Sequence, residues 1–381
     1  MRHRQAIENK WTAVSKTPAD RQKSPSEPLD RPDRHERDDG ADIERDTIAL
    51  PSHVAGSGTL DRLVETARDY ARAAASENTL KAYAKDWAAF ARWCRMRGAE
   101  PLPCAPQLIG LYIADLATPG GKAPALSVSS IERRLSGLAW GYSQCGERLD
   151  RKDRHIATVL AGIRRKHARP PVQKEAILPD DLRDMLATLP HDLRGLRDRA
   201  ILLIGFAGGL RRSEIVSLDH GKDDTPDSGG WVEILDDGVL VTLRGKTGWR
   251  EVEIARGSSD QTCPVHALTQ WLHYARIDFG PLFVAVSRNG LKPTTERLSD
   301  KHIARLIKAC ACEAGLRPDL PEAERVRLFS GHSLRAGLAS SAEVDERYVQ
   351  KQLGHASAEM TRRYQRRRDR FRVNLTKAAG L

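Results

Sequence analysis

Four residues near the carboxyl end of the chain have the types and spacing to attack a phosphate ester. His332 and Arg335 stand three residues apart, His355 follows a glycine, and Tyr364 comes nine residues after His355. Residues three apart share one face of a helix, so His332 and Arg335 can reach the same small target. An arginine holds phosphate oxygens in paired hydrogen bonds, a histidine moves protons, and a tyrosine can be the nucleophile. The set predicts covalent attack by Tyr364 on a phosphate.

Taken singly, each of these residues is more often an ordinary core or surface residue. A pair of the HxxR type is common by chance, whereas the ordered set of HxxR, then GH, then Y is much rarer. The set resembles the C-terminal signature of the tyrosine recombinase (phage integrase) family. That resemblance implies two further groups upstream. One is an arginine inside a G-x-R-x-S-E motif, and the other is a lysine in a β-hairpin between that arginine and the HxxR pair.

The first of these groups lies in the segment 209–214, which reads GLRRSE. The match to G-x-R-x-S-E assigns Arg211 as the first of two arginines that clamp the phosphate. On the same resemblance Glu214 is a buried carboxylate that orients it, and Arg212, which fails the spacing, faces solvent or DNA. Without the downstream matches the segment would be better interpreted as the start of a surface helix.

The second group is Lys246, at the tip of a predicted β-hairpin. Three strand-like runs, 231–235, 239–244 and 250–255, are joined by the turn sequences DDG and GKTG. The triplet GKT does not indicate a nucleotide-binding loop, because the spacing G-x-x-x-x-G-K is absent and strands rather than a helix follow it. A lysine at a hairpin tip is ordinarily solvated. In the family that this chain resembles, the corresponding lysine enters the DNA minor groove and acts as general acid.

The resemblance implies a defined reaction on DNA. Tyr364 attacks a phosphodiester, and Arg211 and Arg335 neutralise the charge that develops on the non-bridging oxygens, which is the largest catalytic contribution expected. The products are a 3′-phosphotyrosyl enzyme and a free 5′-hydroxyl. Because the bond energy is kept in the phosphotyrosine, rejoining needs neither ATP nor a metal, and no cofactor is expected. The reaction would serve integration, excision or resolution of a mobile element or replicon.

Three further residues handle protons and hydrogen bonds in that reaction. Lys246 protonates the 5′ oxygen as it leaves. His332 assists removal of the tyrosine proton, because an unperturbed tyrosine pKa of about 10 makes unaided ionisation unfavourable at neutral pH. His355 hydrogen-bonds the phosphate. These roles are carried over from the family onto the matching positions of this sequence.

The chain as a whole has the size and charge of a two-domain nucleic-acid-binding protein. Its 381 residues are enough for two separate cores, and a net charge of +11 with a pI of about 9.5 favours a polyanionic partner, DNA or RNA first. No run approaches the ~18 apolar residues of a membrane span, and the N-terminus lacks an apolar signal sequence. The six scattered cysteines show no zinc-site spacing and are interpreted as reduced thiols. We expect a cytoplasmic, nucleoid-associated protein without membrane contact.

Composition divides the chain into four parts. Residues 1–57 mix both charges with Pro, Ser and Gly and hold few large apolar residues, so a disordered tail is expected. Residues 58–166 are predicted to form a helical core-binding DNA-binding domain. Residues 167–177 read as a basic linker that contacts DNA phosphates, with a solvated charge run as the alternative. Residues 178–381 are predicted to form the catalytic domain, ending in a segment exchanged between protomers.

The predicted fold is mostly α, with an N-terminal four-helix bundle and a mixed α+β catalytic domain that contains a small three-stranded antiparallel sheet. In the N-terminal part, apolar residues at helical spacing predict helices that follow Ser76, open at Pro106, start at Ser127 or Ser129, and contain Ile156. The family's core-binding domain opens with the pattern S-x-x-T-x-x-x-Y-x-x-x-W/F, which is occupied here by Ser76, Thr79, Tyr83 and Trp87.

In the catalytic domain, the same periodicity predicts helices at 178–189, 193–206, 264–277 and 300–314. After Tyr364 a short tail carries three apolar residues with no obvious partner in its own domain, Phe371, Val373 and Leu375. The family resemblance implies that such a tail docks onto a neighbouring protomer.

Double-stranded DNA and further copies of the chain, as a tetramer on two DNA sites, are the partners that the family implies. A type IB topoisomerase shares the Arg, Lys, His and Tyr chemistry, and a DNA-binding accessory factor could carry vestigial catalytic residues. A metal-dependent transposase or nuclease is disfavoured, because no carboxylate cluster has suitable spacing. The sequence departs from the commonest family pattern at Ala336-Gly337 and Met360-Thr361, and neither departure removes a catalytic group.

Overall fold

The computed structural model describes residues 60–120, 124–170, 173–222, 225, 227–245, 248–355 and 357–362. The chain divides into two compact units between Pro170 and Pro171. This point lies within the predicted linker, whereas the predicted tail 1–57 lies outside the described residues. The roles assigned to the four parts of the chain stay predictions. Within the described ranges, no helix has the length and apolar character needed to cross a membrane.

The described part of the N-terminal unit contains five helices: α1 (Asp61–Ala73), α2 (Glu77–Arg95), α3 (Pro106–Ala117), α4 (Val128–Gln144) and α5 (Arg154–His167). The last four are the helices that the apolar periodicity predicts. Helix α1 lies outside that set because its sequence, DRLVETARDYARA, has few large apolar residues, so the predicted number of four is one too low. Side-chain caps explain where two of the predicted helices begin, since Ser76 accepts a hydrogen bond from the Thr79 N–H and Ser127 from the Ser130 N–H.

Aromatic side chains fill the centre of the N-terminal unit. Trp87, Phe90 and Tyr142 are buried, and the ring centroids of Trp87 and Tyr142 lie 5.0 Å apart in an edge-to-face arrangement. An added Cβ at Gly141 would lie 2.4 Å from the Trp87 ring, so α4 needs a glycine where it approaches α2. These aromatics are core residues, as their spacing predicts, and not platforms for stacking bases.

Besides a helical stretch at 358–362, the described C-terminal unit contains eight helices: α6 (Pro179–Ala187), α7 (Leu193–Ala207), α8 (Arg212–Val216), α9 (Pro264–Ala275), α10 (Asp300–Glu313), α11 (Glu322–Leu328), α12 (Ser333–Ser341) and α13 (Glu346–Leu353). The four helices predicted for this part of the chain correspond to α6, α7, α9 and α10. Helix α7 is largely buried, in agreement with its apolar composition. The short helices α8, α12 and α13 carry or directly border the motif residues.

A mixed sheet of five strands runs in the order β4-β3-β2-β1-β5: β1 (Leu218–His220), β2 (Gly230–Ile234), β3 (Gly238–Gly245), β4 (Gly248–Ala255) and β5 (Gly280–Pro281). Strand β1 is parallel to β2, and the other neighbours are antiparallel. A separate antiparallel pair consists of β6 (Val284–Val286) and β7 (Pro293–Arg297).

The prediction of a three-stranded antiparallel sheet is therefore incomplete, because the observed sheet has five strands and is mixed. Strands β2, β3 and β4 correspond to the three predicted runs and pair as predicted. Strands β1 and β5 are only three and two residues long. Such short strands carry too few residues for a period-two pattern to reveal them.

The inner face of β4 leads from the core to the site. Val252 and Ile254 are buried, while Glu251 and Glu253 are exposed, which is the alternation of a half-buried strand. Arg250 occupies the next inward position. Because a charge at an inward position must find partners inside the protein, Arg250 becomes part of the site described below.

Candidate active site

Four of the six predicted catalytic residues belong to the described structure: Arg211, His332, Arg335 and His355. The predicted general acid and nucleophile, Lys246 and Tyr364, lie outside the described residues, as do Phe371, Val373 and Leu375 of the predicted exchange segment. The four described residues come from separate stretches: the start of α8, the start of α12 and the turn after α13. Their relative placement is therefore a property of the fold.

Arg211 occupies the N-cap position of α8, just after the Gly208-Gly209 turn. Gly209 has φ of +56°, a left-handed conformation that favours glycine. The Arg211 backbone N–H donates to Glu214 Oε2 at 2.8 Å, and its Nη1 donates to Glu214 Oε1 at 2.5 Å. The Glu214 side chain is only 8% exposed, so the prediction of a buried carboxylate is confirmed. One carboxylate holds both the backbone and the guanidinium of Arg211.

Arg335 is almost completely buried, with 1% of its surface exposed, and its guanidinium joins two distant turns. Nη1 donates to the carbonyl oxygen of Gly209 at 2.6 Å, and Nη2 donates to that of Leu353. The two turns touch, since an added Cβ at Gly209 would lie 2.5 Å from Leu353 Cδ2. An arginine is permanently charged. These bonds therefore fix a positive charge between the segments that carry Arg211 and His355.

His332 is the N-cap residue of α12 and stands one turn before Arg335. The residue keeps exposed surface, but the side of the imidazole that packs against protein is desolvated. This burial is the largest cause that lowers the pKa of His332, and the positive charges of Arg335 and Arg211 lower it further. The imidazole is therefore neutral at pH 7, which is the state in which a histidine accepts a proton.

His355 follows Gly354, which ends α13 in the left-handed conformation with φ of +58°. The residue is 7% exposed, and its Nδ1 lies 2.9 Å from Thr361 Oγ1. Burial, followed by the positive charges of the arginines and of His332 around it, lowers the pKa of His355 to about 4. A neutral imidazole has one nitrogen that donates and one that accepts a hydrogen bond.

The sequence interpretation noted Thr361 only as a departure from the family pattern and gave it no role. Its side chain is fully buried, and it stands three residues before Tyr364 in the sequence. Residues 358–362 are helical, so Thr361 connects His355 to the helical turn that leads toward the predicted nucleophile. The only signal in the sequence was a threonine beside a methionine, and neither residue type indicates a buried contact with histidine.

Arg250 is the second residue that was missed. Its side chain is 12% exposed, and it donates from Nη2 to Glu214 Oε2 at 3.0 Å and from Nη1 to the Gln352 carbonyl oxygen at 2.7 Å. Nε is buried and has no acceptor within the residues that the structure describes. A usable signal was present, because Arg250 stands in phase with Val252 and Ile254 on the inward face of a predicted strand.

The described site concentrates positive charge. The guanidinium groups of Arg211 and Arg250 pair with one buried carboxylate, Glu214, and the positive charges of Arg211, Arg250 and Arg335 all act on His355. With two histidines that are neutral at pH 7, the set suits a phosphate ester and the extra negative charge that it gains under attack. Nowhere in the described ranges do three or more His, Cys, Asp or Glu side chains group so that they could hold a metal ion.

Comparison with known proteins agrees with these observations. The sequence model described as "Phage integrase family" matches residues 175–370, just over half of the chain. This chain belongs to the phage integrase family. The matched range contains all six predicted catalytic residues.

Two curated relatives of this integrase-family chain match over most of its length. The "Integrase/recombinase xerD homolog" of Selenomonas ruminantium is 34% identical over 310 residues, covering 78% of this chain and 84% of the relative. "Tyrosine recombinase XerD" of Bradyrhizobium diazoefficiens is 30% identical over 305 residues, covering 76% and 86%. Among solved structures, the Tn1549 transposon integrase in complex with transposon right end DNA is 17% identical, with coverage of 80% and 93% and a TM-score of 0.49. Family membership rests on the sequence matches.

One departure from the commonest integrase pattern has a structural reason. Gly337 stands where an added Cβ would lie 1.8 Å from the Ile177 carbonyl oxygen. The Ile177 N–H donates to the Ser333 carbonyl oxygen at 3.1 Å, so the chain crosses α12 in direct contact with it. A larger residue at position 337 would displace that crossing. The departure therefore reflects packing of this segment and removes no group from the site.

Arg212, the neighbour of the clamp arginine in this integrase motif, lies at the surface. Its Nε is 3.1 Å from Asp300 Oδ2, and both side chains are partly exposed. The sequence assigned it to solvent or DNA, and an exposed side chain agrees with either assignment. An exposed ion pair of this kind contributes little to stability.

Proposed function

We propose that this phage integrase family member is a site-specific DNA recombinase that cuts and rejoins DNA through a 3′-phosphotyrosyl intermediate. The observation that carries the proposal is the placement of Arg335. Its guanidinium bonds the carbonyl groups of Gly209 and Leu353, so one buried charge joins the segments that bear Arg211 and His355. The curated relatives named as recombinases, matched over more than three quarters of this chain, support the same reaction.

In the proposed cleavage step, Tyr364 Oη forms a bond to phosphorus and the bond from phosphorus to O5′ breaks. The tyrosine proton passes to His332, whose lowered pKa leaves it neutral at pH 7 and able to accept it. Lys246 gives a proton to the departing 5′ oxygen. The products are a phosphotyrosine on the 3′ side and a free 5′-hydroxyl, and no nucleotide is consumed.

Two arginines stabilise the transition state in this proposal. Arg211 is oriented by Glu214, and Arg335 is held by two backbone carbonyls, so both charges are in place before DNA binds. Preorganised charges of this kind stabilise the developing negative charge without reorganisation during the reaction. His355 adds a hydrogen bond to the phosphate, with its ring held through Nδ1 by Thr361.

Rejoining is the reverse reaction, with a 5′-hydroxyl from another strand as the attacking group. Such an exchange would integrate, excise or resolve a mobile element or replicon. Exchange between two duplexes breaks four strands, and each chain offers one predicted nucleophile, so we propose a tetramer on two DNA sites. The segment 365–381 is proposed to dock between protomers.

Residues 58–166 are proposed as a second DNA-binding domain. Helix α5 supports this with a basic last turn, Arg164 to His167, that leads into the linker 167–177. The net charge of +11 has the sign that a polyanionic partner requires. Chromosomal DNA as substrate would place the protein at the nucleoid.

A suicide substrate tests the proposal. A duplex nicked close to the cleavage point loses the short fragment that carries the 5′-hydroxyl, so the covalent intermediate accumulates. Nicked duplexes tiled across the DNA that flanks the gene are incubated with protein in EDTA without ATP. Wild type is expected to form an SDS-resistant protein–DNA adduct, and Tyr364→Phe is expected to form none.

Tyr348→Phe is the matched control, because Tyr348 is an exposed tyrosine on α13 and its loss should leave the adduct intact. An adduct with Tyr364→Phe would show that the nucleophile is assigned wrongly. No adduct on a duplex that wild type binds would favour the accessory factor. Relaxation of a supercoiled plasmid without exchange between duplexes would favour a type IB topoisomerase.

A further inference from the structure

We propose that Arg250, which lies outside the predicted catalytic set, is a positioning residue for this site. It couples the Arg211–Glu214 pair, the turn that carries His355, and the strand that leads out of the Lys246 hairpin. The inference rests on the proposed function, because what it positions is the machinery for DNA cleavage.

The first coupling passes through Glu214. Its Oε2 accepts from the Arg211 backbone N–H at 2.8 Å and from Arg250 Nη2 at 3.0 Å, while Oε1 accepts from Arg211 Nη1. The carboxylate therefore stands between two guanidinium groups. Among the described residues, removing Arg250 leaves Glu214 with Arg211 as its one cationic partner and frees the carboxylate to rotate, and Arg211 follows its orientation.

The second coupling reaches the turn before His355. Arg250 Nη1 donates to the Gln352 carbonyl oxygen at 2.7 Å. An added Cβ at Gly354 would lie 2.7 Å from Arg250 Cδ and 2.8 Å from Nε, so the glycine backbone rests directly on the arginine. The same end of α13 is held on its other side, because Gln352 Nε2 donates to carbonyl oxygens of Ala207 and Glu253. The position of His355 thus depends on the contacts of Arg250 with Gln352 and Gly354.

The third coupling follows from strand register. In the β3–β4 ladder, Leu243 pairs with Arg250 and Gly245 pairs with Gly248. Arg250 therefore stands two residues, or roughly 7 Å along the strand, from the end of the ladder at which the predicted lysine hairpin begins. Fixing Arg250 fixes the base of that hairpin relative to Arg211 and His355.

Packing alone does not explain an arginine at this position. Burial lowers the pKa of the Arg250 guanidinium below its ordinary value, and its Nε lacks an acceptor within the described residues. Replacing a buried ion pair by well-packed apolar groups is often neutral or stabilising. Arg250 keeps its charge although its Nε is unpaired among the described residues. This cost is explained if its bonds to Glu214 and Gln352 hold the geometry of a functional site.

The test compares Arg250→Met and Arg250→Lys with a matched control, Arg297→Met. Arg297 is a similarly buried arginine, 14% exposed, that pairs with the buried carboxylate of Asp219. Each variant is measured for single-turnover cleavage of a nicked duplex at saturating protein, for DNA affinity and for thermal unfolding. Arg250→Met is expected to slow cleavage by about 10²-fold while DNA affinity changes by less than about threefold. Arg250→Lys, which keeps the charge but reaches fewer partners, is expected to recover about tenfold of the loss.

A pH profile separates positioning from loss of stability. The charged and titratable groups that face His355 are Arg211, Arg335, His332 and Arg250. Removing one positive charge raises the pKa of His355, so the acid limb of the cleavage rate should move to higher pH in Arg250→Met. The Arg297→Met control is expected to lower the melting temperature without moving that limb.

Cleavage by Arg250→Met within about twofold of wild type, with the same pH profile, would overturn the inference. If Arg250→Met does not fold, Arg250→Gln, which keeps an N–H donor without the charge, is held to the same criterion. The recombinase proposal is tested separately, because it is contradicted if wild type forms no adduct. An adduct in wild type together with full activity of the Arg250 variants contradicts the positioning role alone.

Discussion

Two of the buried arginine–carboxylate networks in the described C-terminal unit have similar chemistry and different completeness. Around Arg297, Nη1 donates to the carbonyl oxygens of Val216 and Leu218, and Nη2 donates to Asp219 and Thr225. Thr225 also donates to the second oxygen of Asp219. We call this the closed network, because within the described residues its carboxylate and guanidinium bond to one another and to nearby structural groups.

The open network is formed by Arg211, Glu214 and Arg250. Its carboxylate is shared between two arginines, one of them a predicted catalytic residue, and the Nε of Arg250 has no acceptor within the described structure. An unpaired buried donor costs about 1–3 kcal/mol, a penalty that a network built only for stability would avoid. Burial alone therefore does not reveal the role of an ion pair. The group that shares the carboxylate does: it is a predicted catalytic arginine, Arg211, in the open network and a threonine, Thr225, in the closed network.

The largest expected effect comes from neutralising each carboxylate. Glu214→Gln should slow single-turnover cleavage by about 10²–10³-fold, because Arg211 loses its charged anchor, and it should also lower the free energy of unfolding, because two guanidinium groups lose their buried negative partner. Asp219→Asn should leave the Arg297 charge uncompensated and lower the free energy of unfolding by about 3–5 kcal/mol. Urea titration and the nicked-duplex assay measure the two effects.

To separate an effect on catalysis from an effect on stability, Glu214→Gln and Asp219→Asn are each measured by urea titration and in the nicked-duplex assay. Folded Asp219→Asn at low temperature is expected to cleave at close to the wild-type rate. If Asp219→Asn slowed cleavage as much as Glu214→Gln did, the distinction between the open and closed networks would fail.

Acid pH should lower the stability of the protein through His355, whose pKa is affected by the arginines of the open network. Its pKa is lowered to about 4 in the folded state, compared with about 6.5 in an unfolded chain. The unfolded state therefore binds more protons between these values, and stability is lost as pH falls from about 6.5 to 4, by about 3 kcal/mol at most. His355→Asn lacks this titration, so the stability difference between wild type and variant should change across that window. Parallel pH curves for the two proteins would contradict the lowered pKa.

Much of the secondary structure could be predicted from the sequence, because most helices show apolar periodicity and the longer strands show alternation. The helices after Ser76 and Ser127 have both apolar periodicity and a side-chain cap. Strands β2 to β4 are long enough to show alternation. The short β1 and β5 exist because of pairing across the sheet, and local sequence does not report such pairing.

In the site, too, local features could be predicted from the sequence and contacts between distant segments could not. The HxxR spacing places His332 and Arg335 on one turn, so that pair could be predicted. Contacts between distant segments could not, because Arg335 meets Gly209 through a bond that spans 126 positions and Arg250 meets Gln352 across 102. The phase of Arg250 among buried positions of β4 was a readable sign that a charge faces inward, but its partners appear only when the chain is folded.

A smaller effect is expected from Gly354→Ala, which strains the open network through its backbone. At φ of +58° an alanine costs about 1–2 kcal/mol in the left-handed conformation, and its Cβ would press on Arg250 Cδ at 2.7 Å. Because both ends of the guanidinium are bonded, the side chain cannot move aside freely. Cleavage should fall by about tenfold, measured in single turnover.

Gly315→Ala is the matched control, since Gly315 also has a positive φ, +68°, but a Cβ there meets nothing within 4 Å. It should lose similar backbone stability while keeping the wild-type cleavage rate. Equal slowing in both glycine variants would trace the effect to general instability and not to Arg250.

The smallest effect is expected at Thr361, which contacts His355 and lies in the helical segment before the predicted nucleophile. Thr361→Val keeps the shape of the side chain but removes the hydroxyl that lies 2.9 Å from His355 Nδ1, so one buried hydrogen bond worth about 1 kcal/mol is lost. Thr361→Ser keeps the hydroxyl and removes only a methyl group from a fully buried position. If the hydroxyl orients His355, valine slows cleavage by about fivefold, at unchanged DNA affinity, and serine restores most of the rate. If serine is as slow as valine, packing of the methyl group is what matters at this position, and His355 takes its orientation from the Gly354 turn and the arginines alone.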